Sequence, residues 1–255
     1  MSRQYSENTS KNREAMNPVE RIIVQYLNHA SFLVACSQST ILIDPFFSGT
    51  FFWEGHQEVQ VDKPDIKLED IPKIDVILCS HIHGDHFEIE TVSSLLQRDD
   101  SILIAPENVI LTCIKAGLNK RKLVTASIKE PFPAGHTRII CLPNKGYENE
   151  VKCSKLSFLI ECGEKKIFHS GDSHGYSESW KEYRVKIDLA CLWCVKTEEM
   201  IENLQPINVF LHHFQKFSPG QFSCNVDIQR LMGFLKEKFN QVNLYHPVEE
   251  KKVIL

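Results

Sequence analysis

Val76-Ile77-Leu78-Cys79-Ser80-His81-Ile82-His83-Gly84-Asp85-His86 runs from four apolar residues into three imidazoles and a carboxylate. A short apolar run bounded by turn residues reads as a buried strand, and the loop after such a strand is where folds place their chemistry. Neutral imidazole and carboxylate oxygen suit zinc, manganese and iron, whereas structural zinc sites are rich in thiolate. The stretch therefore predicts a catalytic metal loop. His81 and His83 fall on one side of an extended segment, Gly84 permits a sharp turn, and Asp85 and His86 then face a second position. One loop could serve two ions.

Two later apolar runs end in the same way, in Ile167-Phe168-His169-Ser170-Gly171-Asp172-Ser173-His174 and in Val209-Phe210-Leu211-His212-His213. Any one histidine would be weak evidence, but three strand ends with ligand-type residues reinforce one another. Upstream, residues 22–27, 31–35 and 40–43 are β-branched or apolar runs with polar breaks, the antiparallel start of a sheet. Asp44-Pro45 closes the third. Residues 46–67 read as an irregular loop with unusual aromatic content (Phe46, Phe47, Phe51, Phe52, Trp53, with His56), a lid or pocket wall or a loop held to the core by its rings.

Downstream, 88–96 and 108–116 read as helices around a strand at 102–105, the second helix ended by Gly117. Strands follow at 121–126, 137–142, 154–161 and 165–169, the last two joined by the hairpin signal Gly163-Glu164. Buried strands at 187–193 and 208–213 precede an amphipathic helix at 226–239. Mixed in this order, the elements predict an α/β fold of sheets covered by helices.

The 255 residues carry no dividing linker and predict a single domain over 19–255 behind a disordered polar tail at 1–18. A net charge of −4 does not indicate nucleic acid as a partner and leaves a small-molecule substrate as the expectation. No apolar run approaches the roughly 20 residues of a membrane span, and no signal-like stretch opens the chain, so the expected location is cytoplasmic. Nine cysteines, an odd count scattered through apolar segments, fit a reducing compartment without disulfides. Cys191-Leu192-Trp193-Cys194 lies inside an apolar run and reads as core packing.

On these motifs the chain resembles the metallo-β-lactamase superfamily, in its lactonase-like and N-acyl-phosphatidylethanolamine phospholipase D-like branch. The marks are Tyr26-Leu27-Asn28-His29-Ala30-Ser31-Phe32, Leu42-Ile43-Asp44-Pro45, the His81 to His86 motif, Phe168-His169-Ser170-Gly171-Asp172, and the late strand ending at His213. The resemblance implies a four-layer αββα sandwich with one or two divalent ions at one edge, Zn²⁺ by family and Mn²⁺ or Fe²⁺ as alternatives. It implies His81 and His83 on a first ion, Asp85, His86 and His213 on a second, and Asp172 between them. Asp44 becomes an outer carboxylate steadying a ligand, and His29, His169, His174 and His212 become outer or substrate-contacting groups. Adjacent strand residues face opposite ways, so one of His212 and His213 points away from the ion; strand-end alignment favours His213 as the ligand.

The implied activity is metal-dependent hydrolysis of a lactone, ester or phosphodiester, with Asp85 and Asp172 orienting water and moving its proton. One departure stands out. The family's third motif calls for a histidine near 144, where this chain has Asn144. His136 lies about eight residues, or roughly 25 Å of extended chain, away and cannot replace it. An amide oxygen is a hard ligand, better suited to Mn²⁺ or Fe²⁺ than to Zn²⁺. Two further readings follow: a metal-binding protein with a degenerate site and no hydrolysis, and an iron-dependent redox enzyme on the same scaffold.

Overall fold

β-branched and apolar runs become strands where both of their faces can be buried. In the computed structural model, which describes residues 21–255 apart from 37–38, 63, 65, 151, 184–185 and 221–225, such runs build two sheets. The tail read at 1–18 lies outside the described residues. In chain order the strands are β1 (Ile23–Asn28), β2 (Ser31–Cys36), β3 (Ser39–Ile43), β4 (Thr50–Trp53), β5 (His56–Gln60), β6 (Val76–Leu78), β7 (Ile102–Ala105) and β8 (Leu123–Thr125). There follow β9 (Pro131–Ala134), β10 (Thr137–Pro143), β11 (Leu156–Cys162), β12 (Lys165–His169), β13 (Leu189–Trp193), β14 (Asn208–His212), β15 (Phe217–Ser218), β16 (Asn243–Tyr245) and β17 (Lys252–Ile254). The helices are α1 (Ile89–Arg98), α2 (Glu107–Lys115), α3 (Thr197–Leu204) and α4 (Ile228–Lys238).

One seven-stranded sheet runs β17-β1-β2-β3-β6-β7-β8 and the other β16-β14-β13-β12-β11-β10-β9. The period of two divides each strand between two cores. Ile41 and Ile43 of β3, Val76 and Leu78 of β6, and Ile104 of β7 face the second sheet, where Phe158, Ile160, Phe168 and Phe210 meet them. Leu42, Ile77, Leu103 and Ala105 face the other way, onto Val92, Leu95 and Leu96 of α1 and Val109, Ile110 and Cys113 of α2. With α3 and α4 burying Met200, Ile201, Leu204, Met232 and Leu235 against the second sheet, the order of layers is αββα.

Two expectations are corrected. Residues 46–67 are not irregular throughout, because β4 and β5 form a hairpin whose register pairs Trp53 with His56 and which β15 extends to three strands. Its turn, Glu54-Gly55, holds both residues at positive φ, the geometry of a tight hairpin turn, but Glu54 is not a residue that announces one. The absence of disulfides is the second. Cys36, at the end of β2, and Cys162, at the end of β11, are joined with their Cα atoms 6.6 Å apart. They are 126 residues apart in sequence and meet because the stacked sheets bring those two strand ends together. Cys191 and Cys194 are thiols buried in the core, and the Cys194 thiol donates to the His213 carbonyl at 3.2 Å.

Strand direction decides where chemistry collects. β3 and β6 are parallel, as are β12, β13 and β14, while β10 and β1 regain the same direction through two antiparallel steps each. The carboxyl ends of β1, β3, β6, β10, β12 and β14 carry His29, Asp44, His81, Asn144, Asp172 and His213, so each sheet delivers its ligand-type residues to its strand-end edge. Among the described residues no helix is long and apolar enough to cross a membrane.

Candidate metal centre

His29, Asp44, His81, Asp85, His86, Asp172 and His213 are all buried at the shared edge, and His83 is half-buried. Asp172 lies between the two halves of the histidine motif: its Oδ2 is 3.4 Å from His81 Nε2, and its Oδ1 is 3.1 Å from His86 Nε2 and 3.5 Å from His213 Nε2. Asp85 Oδ2 is 3.0 Å from His29 Nε2, 3.1 Å from His213 Nε2 and 3.5 Å from His86 Nε2. A tetrahedron of ligands with bonds of about 2.0–2.1 Å has donor–donor edges of about 3.3 Å. The observed spacings bracket that edge.

The protons point the same way. Asp44 accepts from the Ser80 amide at 2.6 Å, from Ser80 Oγ at 2.7 Å and from His86 Nδ1 at 2.8 Å. With a metal bound and its one remaining proton held on Nδ1 by Asp44, His86 would present a bare Nε2 on the side of Asp85 and Asp172. Ser80 Oγ, having given its proton to Asp44, accepts from His81 Nδ1 at 3.0 Å, so His81 Nε2 is also a lone pair facing a carboxylate. Asp85 Oδ1, Asp172 Oδ1 and His86 Nε2 are buried without a well-formed hydrogen bond. Acceptors converging out of reach of water repel one another unless a cation lies among them, and outer partners that fix imidazole tautomers are what metal sites require. The donor set fits a divalent metal.

Charge agrees with geometry. Burial opposes charge on His86, but Asp172, Asp85 and Asp44 outweigh it and raise its pKa to about 10, so in the metal-free chain a proton supplies the positive charge. Burial likewise works against ionised Asp172 and Asp85; His86 chiefly, with His213, overcomes it and holds both carboxyls well below the ordinary range. Burial dominates at His81 and His29, lowering the first well below its usual value and the second to about 4.

Backbone conformation aims these groups. His29, Asp44 and His213 are non-glycine residues with φ of 50°, 45° and 64°, in the left-handed region that costs an L-residue energy and is frequent at functional sites. Gly171 lies where a Cβ would run into the Leu156 carbonyl and sit 3.1 Å from Ser80 Cβ, so its lack of one lets the loop before Asp172 pack closely between the two sheets. Gly84 has no Cβ where one would sit 2.8 Å from Phe51 Cβ, so the histidine loop packs directly on β4.

The remaining residues singled out from sequence divide. His212 does not point to the ion site: it stacks on His169 at 4.7 Å and lies 3.3 Å from Ser170 Oγ. His169 Nε2 reaches the Ala30 carbonyl at 3.0 Å, and the Gly171 amide donates to its Nδ1, so it braces the loop before Asp172. His174 is exposed and packs edge-on to Trp193 at 4.6 Å. His136 is exposed. Of the aromatic segment, Phe46 and Phe51 join Phe217 in a small core beside His29, Trp53 meets His83 edge-on at 5.0 Å, and Phe52 is exposed.

Asn144 is fully buried at the end of β10. Ser157 Oγ lies 2.6 Å from its Oδ1 and 2.8 Å from the Ser170 carbonyl, and Asn144 Nδ2 has no partner. A hydroxyl has one proton, and a carbonyl can only accept. Turning the amide end for end satisfies both contacts, with Nδ2 donating to Ser157 and Oδ1 taking the partnerless position. Sequence reading missed Ser80 and Gln215. Ser80 adjoins the motif and is recoverable from the need to orient His81, whereas Gln215 carries no signal until the fold sets it against His29.

A family model described as a beta-lactamase superfamily domain matches residues 39–222. The chain belongs to the metallo-β-lactamase superfamily. A UPF0173 metal-dependent hydrolase of Bacillus cereus is 27% identical over 177 residues, 66% of this chain and 71% of that protein. Among solved structures, the metallo hydrolase Igni18 of Ignicoccus hospitalis superposes with a TM-score of 0.70 at 17% identity, covering 92% of this chain and 98% of that one. CmlA, a diiron β-hydroxylase from Streptomyces venezuelae, gives 0.65 at 18% identity over 94% of this chain and 54% of its own. These superpositions establish the shared αββα fold.

Proposed function

We propose that this superfamily member is a metal-dependent hydrolase of a small-molecule lactone, ester or phosphodiester. One observation carries the reading: Asp85, His86, Asp172 and His213 converge in a buried cluster whose donor atoms face each other at 3.1–3.5 Å, with the His86 proton directed outward to Asp44. A divalent ion held by these residues would bring the pKa of water toward about 7 and polarise the group under attack. Asp172 lies between His81 and the His86–His213 pair, in the place of a bridging carboxylate. Asp85 Oδ1 and Asp172 Oδ1 are the acceptors that would orient the attacking water and take its proton. Asn144, with its oxygen in the partnerless position, would be the hard third donor for an ion on His81 and His83, and such a donor would favour Mn²⁺ or Fe²⁺ over Zn²⁺. Trp53 and Phe51 wall the histidine loop and keep water from its outer side.

The test is elemental analysis of the protein as isolated, followed by initial rates on a panel of lactones, carboxylic esters, thioesters and bis-p-nitrophenyl phosphate with and without chelator. Bound metal together with chelator-sensitive hydrolysis is expected. Metal-loaded protein that turns over nothing in the panel would sink the hydrolase reading. Bound iron with turnover that requires oxygen would replace it by the redox one.

A further inference from the structure

We infer that His29 is itself a ligand, through Nε2, of the ion held by Asp85, His86 and His213, with Gln215 and Tyr26 fixing its proton on Nδ1; the inference rests on the metal reading above. The four residues each present a donor atom within 4.8 Å of the other three. His29 Nε2 stands as close to Asp85 Oδ2, at 3.0 Å, as His213 Nε2 does at 3.1 Å.

Proton placement separates a ligand from a bystander. The Gln215 side-chain amide donates to the Tyr26 phenol oxygen, which leaves Gln215 Oε1 facing His29 Nδ1 at 3.2 Å. A carbonyl oxygen accepts only, so this orientation of the Gln215 amide calls for the imidazole proton on Nδ1 and leaves Nε2 to turn a lone pair toward Asp85. This repeats the arrangement of His86 on Asp44 and of His81 on Ser80. A buried, proton-free contact of that kind is favourable only with a cation between the partners.

The backbone is built for the same end. The β1–β2 register shifts between Tyr26 and Asn28, a bulge of the kind that re-aims side chains beside functional sites. His29 follows at φ 50°, and its carbonyl accepts from the His213 amide at 3.1 Å, which locks the two histidines together. Counting Asp172, the ion would have five protein donors. That is one more than tetrahedral zinc accepts, and it suits a six-coordinate ion with one position left for water.

The experiment uses the intact chain, labelled with nitrogen-15 and loaded with cadmium-113, because one-bond cadmium–nitrogen coupling appears only at directly bound imidazole nitrogens. Coupling at Nε2 of His29, alongside His86 and His213, is expected, with His29 resonances assigned by their loss in His29→Gln. That variant should bind Cd²⁺ about 100-fold more weakly. Coupling at His86 and His213 but none at His29 overturns the inference and leaves the metal site standing. A chain that takes up no cadmium overturns the metal reading itself.

Discussion

The two halves of the metal edge are built to different standards. The half around Asp85, His86 and His213 is fully buried, the protons of His86 and His29 are assigned by Asp44 and Gln215, and its donors come from both sheets. The half around His81 and His83 has one half-buried histidine, and where the family's third imidazole is expected the chain carries Asn144. In the closed half both His86 and His29 have their lone pairs directed by a partner, whereas in the open half only His81 does, through Ser80. A firmly held ion needs the first kind of construction, and only one half has it in full.

Substitutions can break this comparison in graded steps. Asp172 belongs to both halves, so Asp172→Ala should empty both and lower kcat/KM by about 10³-fold, read by initial rates and metal stoichiometry. Full metal retention in that variant would remove Asp172 from between the ions. Asp85→Ala strikes the closed half alone and should weaken the tighter ion about 100-fold in a chelator competition, while His83→Ala should cost no more than about tenfold. Equal losses would erase the distinction between the halves. Asp44→Asn keeps the shape but loses the carboxylate that holds the His86 proton, and roughly tenfold weaker binding is expected by the same competition. Asn144→His supplies the missing imidazole; zinc content should rise toward two ions per chain by elemental analysis, and an unchanged content would show that the open half is limited by something besides that ligand.

Much of this was legible before the fold was. The apolar run at Val76, the motif after it and the runs into Asp172 and His213 announced the strands and the ligand-type residues that the fold gathers at one edge. A strand buried on both faces must be apolar, and an abrupt change to histidine and aspartate at its end marks a ligand-bearing loop. Other features depend on where the chain meets itself. The backbone turns left-handed at His213, so period-two alternation alone could not say that His212 would stack inward on His169. The hairpin of β4 and β5 hid behind a Glu-Gly turn, and Cys36 meets Cys162 only after the sheets have stacked. His29 stood out through its motif, but its place against Asp85 follows from a bulge and a positive φ that have no signature in residue type.

The three left-handed residues carry a cost for the whole molecule. At about 1 kcal/mol each they draw on a net stability of only about 5–15 kcal/mol for a typical domain. Glycine at 29, 44 or 213 would relieve that strain while removing the group the strain exists to aim. Selection for heat resistance alone would therefore erode this edge first, and directed evolution for melting temperature without a metal-retention screen should enrich changes at these positions. Stabilisation that preserves function has to come from elsewhere, such as the helix ends and the core between the sheets.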